Sequence, residues 1–334
     1  MIRMNLGVNS YNIEIERGCL SKAEQYLDLN RKVMIITDEG VPTEYAEKIA
    51  QQCRIAYIKV VPQGETSKSF QMTEEILKDM LELQFSRKDC VVAVGGGVVG
   101  DLAGFVASLY MRGVDFYNVP TTLLAQVDSS IGGKTAINLA GFKNMVGAFY
   151  QPKTVLIDLD TLESLSQRQV VNGLMEAVKV GATSDKDLFD IFENGNWKEQ
   201  LDVIIEKALL VKKYVVEEDE KESHLRKILN FGHTIGHGFE SAAKGKYLHG
   251  ECVALGMLYM SDKKVQEQLL KIYDNLGFEI PRKEEFHLGE VKTAILHDKK
   301  ANAAKCSVVY VSKIGNGTIE EWDMDAVIGR LECE

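Results

Sequence analysis

The chain has 334 residues, 45% of them apolar and 26% charged, the balance of a soluble globular protein with room for two domains. A core of that size needs no disulfide or metal staple, and intrinsic disorder, collagen-like repeats and small disulfide scaffolds are excluded. The net charge of −10 argues against a general nucleic-acid or membrane-surface binder, while leaving room for a cationic pocket that takes an anionic small molecule.

The opening Met1-Ile-Arg-Met-Asn has no apolar signal core, so a cytoplasmic protein is expected. Six cysteines (Cys19, Cys53, Cys90, Cys252, Cys306 and Cys333) form no CxxC pair and are expected as dispersed reduced thiols. Arg31 to Thr37 reads as a buried strand ending at Asp38, and Val41 to Gln52 as a helix with Pro42 near its first turn. Ile55 to Val61 reads as a second strand. Ser69 to Leu83 places Met72, Ile76, Leu77, Met80 and Leu83 at helical spacing. Cys90 to Val94 gives a third strand, followed by a glycine run and another helix. Asp115 to Val119 and Thr154 to Ile157 give a fourth and a fifth. The 21 residues from Val91 to Met111 carry a single charge, Asp101. A membrane span would hold that carboxylate near the bilayer centre at a cost of ~2.5–3.5 kcal/mol, so a buried strand running into a buried helix is preferred. Strand–helix alternation predicts an α/β domain over residues 1–160, with a parallel sheet and helices on both faces.

Beyond residue 160 the texture changes. Ser166 to Val180, Leu201 to Glu217, Leu225 to Ala243 and Glu251 to Leu276 read as helical, and Cys306 to Lys313 and Thr318 to Trp322 flank Gly315-Asn-Gly317 as a hairpin. Residues 161–334 are therefore expected to form a mainly α-helical domain. A cleft between two domains is the default place for a site.

Gly95-Gly-Gly-Val-Val-Gly100-Asp101 follows a strand and opens a helix, where backbone N–H groups approach a phosphate closely and the helix N-terminus favours an anion. The letters satisfy G-x-G-x-x-G, but the acidic residue about 20 positions on, Asp115, stands at the start of the next strand rather than its end. Asp38, at the end of an earlier strand, is better placed for a ribose hydroxyl. The competing reading is tight helix–strand packing with no ligand. Two flanking segments are unusually polar: Pro62-Gln-Gly-Glu-Thr-Ser-Lys68, which otherwise reads as a capped helix start, and Pro120-Thr-Thr122 with Gln126-Val-Asp-Ser-Ser-Ile-Gly-Gly-Lys134, a loop between apolar runs.

Three of the six histidines, His233, His237 and His249, lie within 17 residues, the first two i, i+4 on one helical face. The spacing suits a metal pair but is not the zincin motif, since Thr234 stands where H-E-x-x-H requires glutamate. A catalytic zinc site takes three protein ligands and leaves one position open. Glu176, Glu240 and Glu251 are candidate carboxylates; spacing chooses neither among them nor between the histidines, and separate capping or packing roles are the plain alternative. Basic residues recur nearby: Lys143, Lys179, Lys212, Lys213, Arg226, Lys299 and Lys300. Lys179 stands three residues after Glu176, on the same helical side.

Read together, these segments resemble the 3-dehydroquinate synthase family, within the sugar-phosphate cyclases. The resemblance runs from about Asp38 to the hairpin near Gly317 and is carried by Gly95 to Asp101, Pro120 to Lys134, Leu229-Asn-Phe-Gly-His-Thr-Ile-Gly-His237 and Leu248-His-Gly-Glu-Cys-Val-Ala254, in the family's order. It implies an NAD-binding α/β domain and a helical metal domain. NAD contacts are implied for Asp38; for Gln63, Gly64, Glu65, Thr66, Ser67 and Lys68; for Gly97, Val98, Val99, Gly100 and Asp101; for Thr121, Thr122, Lys134 and Lys143; and for Thr161, Leu162, Glu163 and Ser164. A divalent metal, zinc or cobalt, is implied on Glu176, His233 and His249. Asp128, Asn144, Lys179, Lys212, Arg226, Asn230, His237 and Lys299 are implied to face the substrate.

The implied reaction converts 3-deoxy-D-arabino-heptulosonate 7-phosphate to 3-dehydroquinate and phosphate. It proceeds by transient oxidation at C5, β-elimination of phosphate, re-reduction and intramolecular aldol closure, and belongs to the shikimate route to aromatic amino acids. A homodimer is implied, with no nucleic-acid or membrane partner. Two other activities compete: a related cyclase such as 2-deoxy-scyllo-inosose synthase, and a plain NAD- and metal-dependent alcohol dehydrogenase. Where relatives carry glycine this chain has His224, which predicts backbone strain if φ is positive there; Ala304 is a second such position.

Overall fold

A computed structural model describes residues 1–298 and 305–332. The chain divides into two compact units, Met1–Ser166 and Gln167–Glu334, the second beginning six residues beyond the expected boundary. The first unit contains β1 (Ile2–Met4), β2 (Tyr11–Ile15), β3 (Lys32–Asp38), α1 (Thr43–Ala50), β4 (Ile55–Val61), α2 (Phe70–Glu82), β5 (Cys90–Gly95), α3 (Gly97–Leu109), β6 (Asp115–Pro120), β7 (Lys134–Leu139), β8 (Phe142–Phe149) and β9 (Thr154–Ile157).

Seven strands form one sheet in the order β1-β2-β9-β6-β5-β3-β4, parallel throughout except for β1 against β2. The central strands are near-continuous apolar runs because both faces are covered. Side chains alternate between two cores. Met34, Ile36, Val91 and Ala93 pack against α2 and α3 through Ile76, Met80, Leu102 and Val106. Val33, Ile35, Val92 and Val94 pack against α1 and the turns before β3 through Tyr45, Ile49, Leu20 and Leu27.

Chain order reverses at one place in the sheet: β4 lies outside β3 on one side, and β5 and β6 continue on the other. The switch between β3 and β5 therefore has Asp38 on one strand end and the glycine run on the other, the arrangement in which open α/β sheets bind ligands. At the opposite, amino edge, Arg31 Nη1 bonds Asp115 Oδ2 at 2.6 Å and Nη2 bonds the Tyr117 hydroxyl at 2.6 Å. This accounts for Asp115, whose spacing from Gly95 imitates a dinucleotide fingerprint.

The expected strands appear with ends shifted by at most one residue. The β1–β2 pair and the β7–β8 hairpin were not expected; β1 has only three residues and β8 is mostly exposed, so their apolar patterning is faint. The segment from Gln126 to Lys134, read as a loop, begins with a π-helical turn at Ala125–Ser129 and ends in β7.

The second unit contains α4 (Gln167–Ser184), α5 (Lys186–Glu193), α6 (Leu201–Glu218), α7 (His233–Ala243), α8 (His249–Tyr259), α9 (Lys263–Asn275), α10 (Leu288–Asp298), β10 (Lys305–Val311), β11 (Gly317–Asp323) and α11 (Met324–Arg330). The helix expected over Leu225–Ala243 is broken: a 3-10 turn at Leu225–Asn230 precedes α7, and Gly232 between them has φ +77°. The helix expected over Glu251–Leu276 is likewise two, α8 and α9. α7 and α8 pack backbone to backbone: a Cβ on Gly256 would lie 2.0 Å from the Gly232 carbonyl oxygen. β10 and β11 pair antiparallel as expected, from Lys305↔Asp323 to Val311↔Gly317. His224 has φ −142°, so the expected strain is absent there; the positive φ in that loop belongs to Glu222, at +60°. Lys299, Lys300, Ala304 and Cys333 lie outside the described residues, and the other five cysteines are unbridged. Among the described residues, no helix is long and apolar enough to cross a membrane.

Candidate functional site

The carboxyl ends of β3, β4, β5, β6 and β9 gather the residues singled out in the first unit. Asp38 closes β3; its Oδ1 accepts the Gly40 N–H at 2.8 Å, and burial raises its carboxyl pKa against the Gly40 and Val41 N–H groups. Gln63 to Lys68 follow β4: Gly64 has φ +96° and Glu65, Thr66 and Ser67 form a 3-10 turn. The Ser67 hydroxyl donates to the Pro62 carbonyl. Lys68 is 3% exposed, and its ammonium donates to Asp101 Oδ2 at 2.6 Å and to Asn144 Oδ1. The segment is thus more than a capped helix start, although Ser69 does cap α2 by accepting the Met72 N–H.

Gly97, Val98, Val99, Gly100 and Asp101 form the first turn of α3. A Cβ on Gly97 would lie 2.9 Å from Ser129 Oγ, so close packing is one reason for glycine here. Thr121 donates its N–H to the Gly95 carbonyl at 2.9 Å, and Thr122 Oγ1 accepts the Ala125 N–H, starting the π-helical turn that carries Asp128. After β9, Thr161 and Leu162 are buried in the 3-10 turn Leu159–Ser164. The Thr161 hydroxyl donates to the Asp158 carbonyl and accepts from the Gln126 amide, Ser164 donates to the Thr161 carbonyl, and Glu163 is exposed. Lys134 and Lys143 are exposed on β7 and β8.

In the second unit, α4 carries Glu176 and Lys179, each 1% exposed, and the Lys179 ammonium bonds Glu176 Oε2. Glu176 Oε1 is buried with no hydrogen bond. It lies 3.7 Å from His233 Nε2 and 3.4 Å from His249 Nε2. The nitrogens of His233, His237 and His249 lie within 4.8 Å of one another, so two three-ligand sets share His233 and His249 and differ in whether Glu176 or His237 completes them.

The other candidate carboxylates have partners of their own. Glu251 takes both Arg168 nitrogens, at 2.6 and 2.7 Å, and caps α8 at the Leu248 N–H. Glu240 Oε2 lies 2.9 Å from His249 Nδ1. His233 Nδ1 donates to the Phe231 carbonyl at 3.1 Å, leaving its Nε2 lone pair toward Glu176. Two Nε2 atoms and one carboxylate oxygen form the donor set of an open catalytic zinc site. At metal–ligand bonds of about 2.0–2.1 Å, two tetrahedral ligands sit roughly 3.3–3.4 Å apart, close to the separations found. The residues therefore fit a divalent cation.

The electrostatics agree. Burial raises the Glu176 carboxyl, but Lys179, His233 and His249 outweigh it and hold it well below its ordinary value. Burial and the Lys179 ammonium push His233 well below its ordinary value. Burial lowers His249, but the neighbouring Glu176 and Glu240 carboxylates win and raise it to about 10. The proton on that ring stands where a cation's charge would stand, and a metal ion would displace it.

Lys212, on α6, is buried. Arg226 is 2% exposed; its Nη1 donates to the Glu220 carbonyl at 2.6 Å and its N–H to Asp219 Oδ2 at 3.0 Å. Asn230 donates to Glu222 Oε1 at 2.8 Å. Two supporting residues escaped the sequence reading. Asn172 Oδ1 accepts the Gly250 N–H at 2.7 Å and fixes the start of α8 beside His249; its signal was its place one turn before Glu176. Asp219 accepts the N–H groups of Ser223, His224 and Arg226, and nothing in its local pattern marks it.

Residues 58–172 match the family described as 3-dehydroquinate synthase N-terminal, and residues 173–301 the one described as 3-dehydroquinate synthase C-terminal. A 3-dehydroquinate synthase of Alkaliphilus metalliredigens is 41% identical over 336 residues, covering 95% of this chain and 94% of the relative. The chain belongs to the 3-dehydroquinate synthase family. A Streptococcus pneumoniae 3-dehydroquinate synthase is 39% identical over 340 residues, covering 95% of this chain and 96% of its own. Among solved structures, a 2-deoxy-scyllo-inosose synthase complexed with carbaglucose-6-phosphate, NAD+ and Co2+ has a TM-score of 0.88 at 25% identity, over 99% of this chain and 98% of that one. A probable glycerol dehydrogenase of Sinorhizobium meliloti has a TM-score of 0.60 at 18% identity over 96% and 95%, a likeness of fold alone. The family shares its architecture with other cyclases more closely than with the dehydrogenases.

Proposed function

We infer that this chain converts 3-deoxy-D-arabino-heptulosonate 7-phosphate to 3-dehydroquinate and phosphate, as a carbon–oxygen lyase dependent on NAD and a divalent metal. The observation that carries the reading, in a chain of this family, is the unbonded Glu176 Oε1 beside the Nε2 atoms of His233 and His249. Glu176, His233 and His249 would hold the cation, and Asp38 with the first turn of α3 would hold NAD across the switch point. When bound, NAD supplies reversible hydride transfer and the cation supplies Lewis-acid polarisation of the substrate oxygen.

The protein's own groups prepare this chemistry. Glu240 keeps the His249 ring oriented through Nδ1, and Phe231 does the same for His233. Lys179 counters the buried Glu176 charge. Arg226, a planar cation set by Asp219 and Glu220, suits the substrate's phosphate or carboxylate, and Lys212 and Asn230 add cationic and amide donors. His237 serves as the group that holds or moves a proton at its ring nitrogen. Asp128, Asn144 and Lys299 complete the proposed substrate contacts, and Lys134, Lys143 and the turn Thr161–Ser164 those to NAD. We further propose a cytoplasmic homodimer.

Purified protein with NAD and Zn2+ or Co2+ should release inorganic phosphate from the heptulosonate phosphate without accumulating NADH. Phosphate release from glucose 6-phosphate alone would identify a 2-deoxy-scyllo-inosose synthase instead. Stoichiometric NADH would identify a dehydrogenase.

A further inference from the structure

The β7–β8 hairpin is irregular at one place. Lys134↔Phe149 through Ile137↔Val146 pair in register, and Leu139↔Phe142 pair again beside the two-residue turn, where Ala140 and Gly141 both have positive φ. Between these pairs the single residue Asn138 faces three: Lys143, Asn144 and Met145. The strand bulges outward there, and Asn144 has φ +58°, an uncommon conformation that persists only when its surroundings impose it.

Asn138 and Lys68 impose it. Asn138 Oδ1 accepts the Asn144 N–H at 2.9 Å, taking the place of the missing ladder bond. Asn138 Nδ2 donates to Glu65 Oε2 at 2.6 Å, and the Asn138 N–H donates to the Lys68 carbonyl at 2.8 Å. The Lys68 ammonium then spans Asn144 Oδ1 and Asp101 on the first turn of α3. One amide side chain thus ties the bulge to the loop after β4, and through Lys68 to the glycine run. Bulges re-aim side chains beside sites, and this one sets Lys143 and Asn144.

We propose that Asn138 is a positioning residue, which acts on NAD and substrate only through the bulge that presents Lys143 and Asn144. This rests on the functional reading above. The acceptor atom does the work, and Asn138→Ala removes it.

The test compares Asn138→Ala, Asn144→Ala, Lys143→Ala and the double variant Asn138→Ala/Asn144→Ala. The readouts are NAD affinity by equilibrium dialysis, steady-state KM and kcat for the heptulosonate phosphate, and thermal midpoint. Asn138→Ala should raise KM about tenfold, the worth of one hydrogen bond, and weaken NAD binding, with kcat less affected. The double variant should be no worse in KM than Asn144→Ala alone. Additive losses in KM, or a lowered thermal midpoint with KM and NAD affinity unchanged, would each overturn the proposal. If Lys143→Ala and Asn144→Ala leave NAD affinity and KM untouched, the functional reading of the bulge fails instead.

Discussion

Glu176 Oε1 lies 3.4 Å from His249 Nε2, beyond the 2.7–3.2 Å of an ordinary N–H···O bond. Two lone-pair donors held close and unbonded fit a shared third partner. The first prediction concerns what orients this pair. Glu240→Ala removes the carboxylate at His249 Nδ1 and should weaken Zn2+ affinity by about 10–100-fold, read by competition with a chromogenic chelator. Unchanged affinity would refute the orienting role.

His249→Ala should lower bound metal, measured by elemental analysis, together with phosphate release, while the circular dichroism spectrum stays that of the parent. Full activity without metal would refute the ligand assignment.

Lys179→Met leaves the buried Glu176 carboxylate without its hydrogen-bonded counter-charge. The expected loss is about 3–5 kcal/mol in metal-free protein, because an unpaired buried charge keeps its desolvation cost. Excess Zn2+ should restore much of it by ligand linkage. Thermal unfolding with and without metal checks both; a variant as stable as the parent without metal would count against the pairing.

The acid limb of stability should depend on Asp219. Burial raises this carboxyl, but the N–H groups of Arg226, His224 and Ser223 and the Ser223 hydroxyl outweigh it and depress its pKa. A depressed folded pKa contributes stability fully above the unfolded value of about 4 and loses it as pH falls through the folded value. Asp219→Asn should therefore flatten the pH dependence of the thermal midpoint below pH 4 and cost about 1–3 kcal/mol at pH 7. It should also raise KM by loosening Arg226. An acid limb as steep as the parent's would exclude Asp219 as its source.

Gly256→Ala puts a Cβ 2.0 Å from the Gly232 carbonyl oxygen and must push α7 and α8 apart. A loss of about 1–3 kcal/mol is expected, with weaker metal retention, both read from thermal unfolding and metal content. A stable, metal-replete variant would show that the helices can part without disturbing the histidines.

Much of this was legible in the chain itself, for identifiable reasons. β3 and β5 were readable because strands covered on both faces need uninterrupted apolar runs, and α2 because its apolar residues keep the helical period. The β1–β2 pair and the β7–β8 hairpin were not, since half-exposed strands mix polar and apolar side chains. The breaks before α7 and between α8 and α9 escaped because helical periodicity carries across a turn. At the site, spacing brought Glu176 beside Lys179 and His233 beside His237. Choosing among Glu176, Glu240 and Glu251 required their partners: Arg168 is 83 residues from Glu251, a separation that no local pattern reports. Asp115 was set aside by its place at the start of β6, but its purpose, the bond to Arg31, lies 84 residues back and was not readable.

That bond has a consequence for how the domain can change. The sheet keeps its structural ion pair at the amino edge and sends the loops after β3, β4, β5, β6 and β9 from the carboxyl edge. Substitutions that retune ligand preference and substitutions that unfold the domain therefore fall in different places. A laboratory lineage selected for a different dinucleotide could vary one rim of the sheet freely while the other stays fixed, and its accumulated changes should map to that rim.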